Sequence, residues 1–249
     1  MKVNQLNRNG ALVVFSGGQD SATCLVWALD RFDHVETVGF HYGQVHDVEM
    51  SVRHAVRDKT AALNEGWRRR LGDDHVYDAG IIGQISQSPL TGGAAAVLRS
   101  ENLPDTFVPG RNLVFLTLSA GLAYRRGLKH IITGVCETDF SGYPDCRDDT
   151  IKALQVAINL GTDVPFVIHT PLMWMDKAQT WALAHELGGD ELVRVIQRET
   201  HTCYQGNRTQ LHDWGYGCGE CPACVLRSNG WSRYQDNARA IAKEVALST

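Results

Sequence analysis

Leu12-Val13-Val14-Phe15-Ser16-Gly17-Gly18-Gln19-Asp20-Ser21-Ala22-Thr23-Cys24-Leu25-Val26-Trp27-Ala28-Leu29 sets an apolar run, a glycine-rich turn and a second apolar run in direct succession. This order implies a strand, a tight turn and a helix N-terminus. Two adjacent glycines let the backbone approach an anion with its N–H groups exposed. The helix behind them adds its own unsatisfied N–H groups and the positive end of its dipole. The turn reads as a phosphate cradle, and a ligand-free strand-to-helix connection is the competing reading. The commoner Gly-x-x-x-x-Gly-Lys-Ser/Thr loop is absent: no lysine follows the glycines, and Asp20 and Ser21 take the polar positions.

At 249 residues the chain has the length of one large domain or two small ones, enough for a full core without staples. Its 24 basic and 28 acidic residues give a formal charge of −4. No global basic field draws it to nucleic acid or an anionic membrane, so a small-molecule partner is expected, with no direct nucleic acid and no membrane. The first ten residues carry no apolar signal core, and the longest largely apolar stretch, Leu113 to Ala123, is too short to span a bilayer. A soluble, cytoplasmic protein is expected. Seven cysteines without an export signal point to thiols and metal ligands rather than disulfides.

Outward from the loop, β-branched runs at 11–16, 35–41, 75–79, 129–135 and 165–169 alternate with helical patterns. That alternation predicts an α/β fold, a doubly wound parallel sheet covered by helices on both faces. Helices are expected at 47–63, from the stripe Val48, Val52, Ala55 and Val56, and at 112–126, apolar until Arg125-Arg126. Another is expected over 176–187, where Asp176 is the N-cap and Gln179 completes a capping box, and a docking helix over 233–247. Arg68-Arg69-Arg70 reads as a solvated helix end or loop. Residues 84–110, rich in proline and glycine, read as a long loop, either one that covers the nucleotide site or a simple surface irregularity. The expected division is a main unit over 1–200 and a knuckle with its docking helix over 201–249, packed on the same domain.

Cys203, Cys218, Cys221 and Cys224 form a Cys-x14-Cys-x2-Cys-x2-Cys series. Two-residue gaps turn successive thiolates onto one ion, and four sulfurs complete the shell of a structural zinc knuckle; spacing leaves an iron–sulfur cluster open. His201 and His212 are read as neighbours rather than ligands. Cys24, Cys136 and Cys146 lack ligand spacing and read as small apolar or site-lining residues.

The segment from Gly134 to Asp148 follows a predicted strand and so falls at the carboxyl edge of the sheet, where ligands bind in this class. It carries Asp139, Ser141, Tyr143, Asp145 and Arg147, candidate substrate-binding residues. Asp139 or Asp145 can accept from the N–H groups of a guanine-like ring, and Arg147 can hold a carboxylate bidentately. Arg111, near a helix start, is placed to reach phosphate, with a loop-end salt bridge as the competing reading. Lys177 opens a helix, where its charge opposes the dipole; an anionic ligand would explain it, and plain solvent exposure is the competing reading.

The Ser-Gly-Gly-x-Asp-Ser turn resembles the loop of the ATP pyrophosphatases, which cut ATP between its α and β phosphates and transfer AMP. Together Phe15 to Ser21, Tyr42-Gly43-Gln44, Phe107 to Asn112, Gly134 to Arg147, Pro171 to Trp181, and Thr202-Cys203-Tyr204 through Cys224 and Leu226-Arg227 resemble the 7-cyano-7-deazaguanine synthase family. The resemblance covers roughly residues 11 to 231, with a Cys203–Cys218 interval longer than expected. It implies conversion of 7-carboxy-7-deazaguanine and ammonia to the nitrile through two adenylations, in queuosine biosynthesis. It implies ATP with Mg²⁺ as substrate, Zn²⁺ in the knuckle and a homodimer. ATP would be bound by Phe15, Ser16, Gly17, Gly18, Gln19, Asp20, Ser21, Ala22, Thr23, Cys24, Leu25 and Arg111. Ser16, Asp20, Ser21 and Lys177 are the expected catalytic residues. A transfer-RNA thiolase using the same loop and a nucleic-acid-binding module built on the knuckle are the rival readings.

Overall fold

The computed structural model describes residues 6–43, 48–85, 89–91, 103, 106–138 and 142–246. Five strands, β1 (Asn7–Val14), β2 (His34–His41), β3 (Leu71–Asp78), β4 (Leu128–Ile132) and β5 (Val167–His169), pair in parallel in the order β3-β2-β1-β4-β5. Both faces of such a sheet are covered, so its central strands are apolar on both sides. Ala11, Val13 and Val35 face a core shared with α1 (Gln19–Arg31), α2 (Val48–Ala62), α3 (Glu65–Arg70), α7 (Lys177–Glu199) and α8 (Pro222–Ala246). Leu12, Val38, Phe40 and Ile131 face a second core with α4 (Ile81–Ile85), α5 (Arg111–Arg126) and α6 (Asp148–Thr162). The expected doubly wound sheet is present.

Every expected strand lies within a few residues of its observed range. β3 begins four residues earlier than expected, at Leu71, and β4 ends at Ile132, with the Thr133 N–H still donating to the His169 carbonyl of β5 at 3.0 Å before the chain leaves the sheet. The capping box of Asp176 and Gln179 is formed. The helix it starts is interrupted at Gly189, which leaves helical geometry at φ 61° and ψ −161°, close to the expected end at 187, and a second helical segment runs on from there to Glu199. Arg70 ends α3 and donates to the Leu29 carbonyl at 2.8 Å, satisfying an orphan acceptor at the end of α1. Most of the expected 84–110 loop lies outside the described residues.

The tail beyond α7 winds around the four cysteines through a short hairpin, β6 (Leu211–His212) and β7 (Gly215–Tyr216). The hairpin occupies the long Cys203–Cys218 interval. α8 starts at Pro222 inside the knuckle, and its Tyr234, Ile241 and Val245 join the core of α1 and α7. No helix among the described residues is long and apolar enough to cross a membrane.

Candidate active site at the switch point of the sheet

Chain order reverses between β1 and β4, and the crevice beyond their carboxyl ends holds a cavity of about 330 Å³. Open α/β sheets bind ligands at this place. Ser16, Gly17 and Gly18 bridge β1 and α1. Gly17 stands at φ 94°, and a Cβ there would lie 2.7 Å from the Glu49 carbonyl oxygen, so only glycine fits. The two serines close the loop on itself: the Gly17 N–H donates to Ser21 Oγ and the Gly18 N–H to Ser16 Oγ, each at 3.2 Å. No side chain caps α1 at Gly18, which leaves its first-turn N–H groups open to an anion.

Asp20 and Lys177 meet across the cleft, Lys177 Nζ donating to Asp20 Oδ2 at 2.8 Å. Gly134, two residues beyond β4, makes room for Asp20; a Cβ there would stand 3.2 Å from the Asp20 Cβ. On the opposite wall the Arg111 guanidinium lies 5.6 Å from the Tyr42 ring and 5.8 Å from the Tyr143 ring. Burial draws that guanidinium's pKa down, but the surrounding Tyr42, Tyr143, Asp145 and Tyr204 raise it further, so Arg111 is a fixed cation. Glu49, in the first turn of α2, lines the same cavity. Tyr204 also lines it, next to Cys203, and burial pushes its hydroxyl well above the usual phenol range.

Of the residues singled out from the sequence, Phe15, Ser16, Asp20, Ser21, Arg111, Tyr143 and Lys177 line this one cavity. Gly17 and Gly18 belong to the turn beside it, and Gln19 opens α1. Ala22, Thr23, Cys24 and Leu25 are buried in α1, and Ala22, Cys24 and Leu25 belong to the core behind the loop. Asp145 is buried away from the cavity lining, and its Oδ2 accepts from the Asn112 N–H at 2.9 Å, satisfying the start of α5. Arg147 is exposed at the N-cap of α6, also apart from the cavity. Asp139 and Ser141 lie outside the described residues, as does Gln44. Cys136 and Cys146 line the cavity, whereas Cys24 is core. Glu49, Tyr42 and Tyr204 were not assigned roles from the sequence.

The sulfurs of Cys203, Cys218, Cys221 and Cys224 all lie within 4.8 Å of one another. Cys218 and Cys224 are separated by 3.8 Å, and Cys203 and Cys221 by 4.0 Å. Gly219 turns at φ 80°, which aims the Glu220 and Cys221 N–H groups at Cys218 Sγ. Gly217 leaves space for Cys224, whose sulfur would stand 2.6 Å from a Cβ there. His201 and His212 stay out of the cluster, each ring facing a carbonyl, of Cys203 and Gly217. The knuckle touches the cleft directly, because the His201 N–H donates to the Gly17 carbonyl at 3.2 Å.

In a comparison of folds, a 4-thiouridine synthetase solved in complex with RNA and bound ATP matches with a TM-score of 0.50 at 14% identity. The match covers 95% of this chain and 53% of that one, so the chain spans about half of its length and shares its fold. Among curated proteins, the 7-cyano-7-deazaguanine synthase of Gluconobacter oxydans is 61% identical over 232 residues, 93% of this chain and 96% of its own. The synthase of the same name from Methylorubrum extorquens is 64% identical over 225 residues, covering 90% and 93%. The family model described as queuosine biosynthesis protein QueC matches residues 10–235, a span that contains the loop, the cleft and all four cysteines. With that match and relatives of such identity over nearly their whole length, the chain belongs to the QueC family of queuosine biosynthesis proteins.

Proposed function

We propose that this chain is an ATP-dependent carbon–nitrogen ligase that converts 7-carboxy-7-deazaguanine and ammonia to 7-cyano-7-deazaguanine. The observation that carries this reading is the convergence of the uncapped N-terminus of α1, the Asp20–Lys177 pair and Arg111 on one cleft at the switch point. The names of the relatives at 61% and 64% identity support it. A carboxylate oxygen is a poor leaving group, and transfer of AMP makes it a good one. Amide formation releases the first AMP, and adenylation of the amide oxygen lets a second AMP leave to give the nitrile. In this scheme the turn and Ser21 hold the departing pyrophosphate. Lys177 and Arg111 offset charge as it develops on phosphate.

Mg²⁺ accompanying ATP would neutralise phosphate charge. Asp20 suits it, since its Oδ1 is buried and without a hydrogen-bond partner among the described residues. The cysteine cluster suits Zn²⁺, because a tetrahedron with zinc–sulfur bonds of about 2.3 Å has edges of about 3.8 Å. Four thiolates close that shell, so the role of the ion is structural. We also propose a cytoplasmic homodimer acting on small molecules, with no direct nucleic acid. An exposed apolar face shared by neighbouring helices supports pairing of two copies: Val114, Leu118 and Tyr124 on α5, Val156 and Leu160 on α6, with Leu160 81% exposed. Light scattering tests it, two chains per particle being expected and one chain contradicting it.

The decisive experiment follows base and nucleotide together by mass spectrometry, with protein, ATP, Mg²⁺, ammonium and 7-carboxy-7-deazaguanine. Nitrile appearing with AMP is expected. AMP without nitrile would redirect the search to another acceptor, and neither product would overturn the enzyme reading.

A further inference from the structure

The adenylation chemistry leaves one carboxylate in the cleft without a task. Glu49 is partly buried at the start of α2 and lines the same cavity as Asp20, Arg111 and Lys177. It overhangs the glycine turn: a Cβ built on Gly18 would stand 3.5 Å from Glu49 Oε1. The groups that face it are Asp20 from α1, Arg111 from α5, Tyr42 after β2 and Tyr204 beside the knuckle. Removal from water is the dominant influence and holds its carboxyl up at about 7, against the pull of Arg111 and with a contribution from Asp20. Asp20 itself is engaged by Lys177.

Nitrile formation strips nitrogen of every hydrogen. When ammonia attacks the acyl adenylate, its lone pair forms the C–N bond and the C–O bond to AMP breaks, its electron pair leaving with AMP. One N–H proton must then depart to give the amide. A second departs as the amide oxygen is adenylated, and a third as the second C–O bond breaks and the C≡N bond forms. A base is therefore needed beside the turn, where the activated carbon is held. We propose that Glu49 is that general base, accepting the N–H protons as nitrogen is joined to carbon and then dehydrated. The proposal rests on the nitrile-forming reading above.

The test compares wild type with Glu49→Gln and Glu49→Asp. It uses exchange of pyrophosphate into ATP, dependent on the carboxylic acid substrate, and amide and nitrile formation at fixed free ammonia over a range of pH. Circular dichroism and thermal melting confirm that each variant is folded. Glu49→Gln is expected to slow amide and nitrile formation by about 10²–10⁴-fold, with exchange falling by less than about tenfold. The rate in wild type is expected to rise with pH through about 7 as the carboxyl ionises. That limb disappears in Glu49→Gln and returns in Glu49→Asp. Wild-type nitrile formation with the same limb in Glu49→Gln would overturn the proposal. An equal loss of exchange and amide would also overturn it, placing Glu49 with the nucleotide or its cation. Failure of the underlying reading is distinguishable, since wild type itself would then make no nitrile.

Discussion

Asp20 uses its two carboxylate oxygens differently. Oδ2 accepts from Lys177, while Oδ1 is buried and has no hydrogen-bond partner among the described residues. Asp20→Asn keeps the shape and removes the charge, leaving Lys177 without its counterion. Product formation is expected to fall by about 10²–10³-fold, the cost of losing one preorganised electrostatic group, while the melting temperature moves by only a few degrees. Steady-state turnover and thermal melting check this, and near-wild-type turnover would remove Asp20 from the site. Ser16, Asp20, Ser21 and Lys177 were legible in the sequence because local context marks them: a glycine turn, and a cation where a helix dipole disfavours one. Glu49 was not, since an acid in the first turn of a helix is satisfied by the dipole alone and calls for no further explanation. Only the fold brings α2 over the Gly17–Gly18 turn. Asp145 drew attention as a carboxylate on a polar loop, and only the fold shows that its Oδ2 accepts from the backbone at the start of α5.

Strands were legible through their β-branched runs, and α7 through its cap. α6 was not, because its apolar residues go all the way round: Ile151 and Ile158 are buried, while Val156 and Leu160 face outward, so no stripe stands out. Also hidden in the sequence is how β2, β3 and α5 are tied together. Glu36, buried in β2, accepts from His34 at 2.9 Å, from His75 of β3 at 2.8 Å and from Arg126 at the end of α5, whose Nη2 lies 2.7 Å away. Burial alone would raise the Glu36 carboxyl, but the hydrogen bonds from Arg126, His34 and His75 outweigh it and hold the carboxyl at about 2, below the ordinary 4.5. The folded state thus prefers the ionised form, and this contribution to stability is full above about 4.5 and lost as pH falls towards 2. Urea unfolding across that range should show stability declining in wild type, with a shallower decline in Glu36→Gln. Equal slopes in the two proteins would contradict the assignment.

At the scale of the molecule, the cysteine cluster and the cleft are one mechanical unit. Gly230 of α8 packs on Lys177, and a Cβ there would meet the Lys177 Cβ at 2.3 Å. Arg227, fully buried, donates to Thr202 Oγ1 and to the Ile196 carbonyl, each at 2.9 Å, with Trp181 5.5 Å from its guanidinium. A strong chelator, or Cys221→Ser, should release about one zinc ion per chain, lower the melting temperature and reduce turnover in parallel. Full activity in metal-free protein would separate the knuckle from the site. The pairing of Asp20 with Lys177 spans 157 positions of sequence. During synthesis the glycine turn leaves the ribosome long before its partner lysine, and α8, which packs against that lysine, follows later still. A partly made chain therefore lacks both the lysine that faces Asp20 and the helix that seats it, so the cleft is assembled only after the turn, α7 and α8 have all been made.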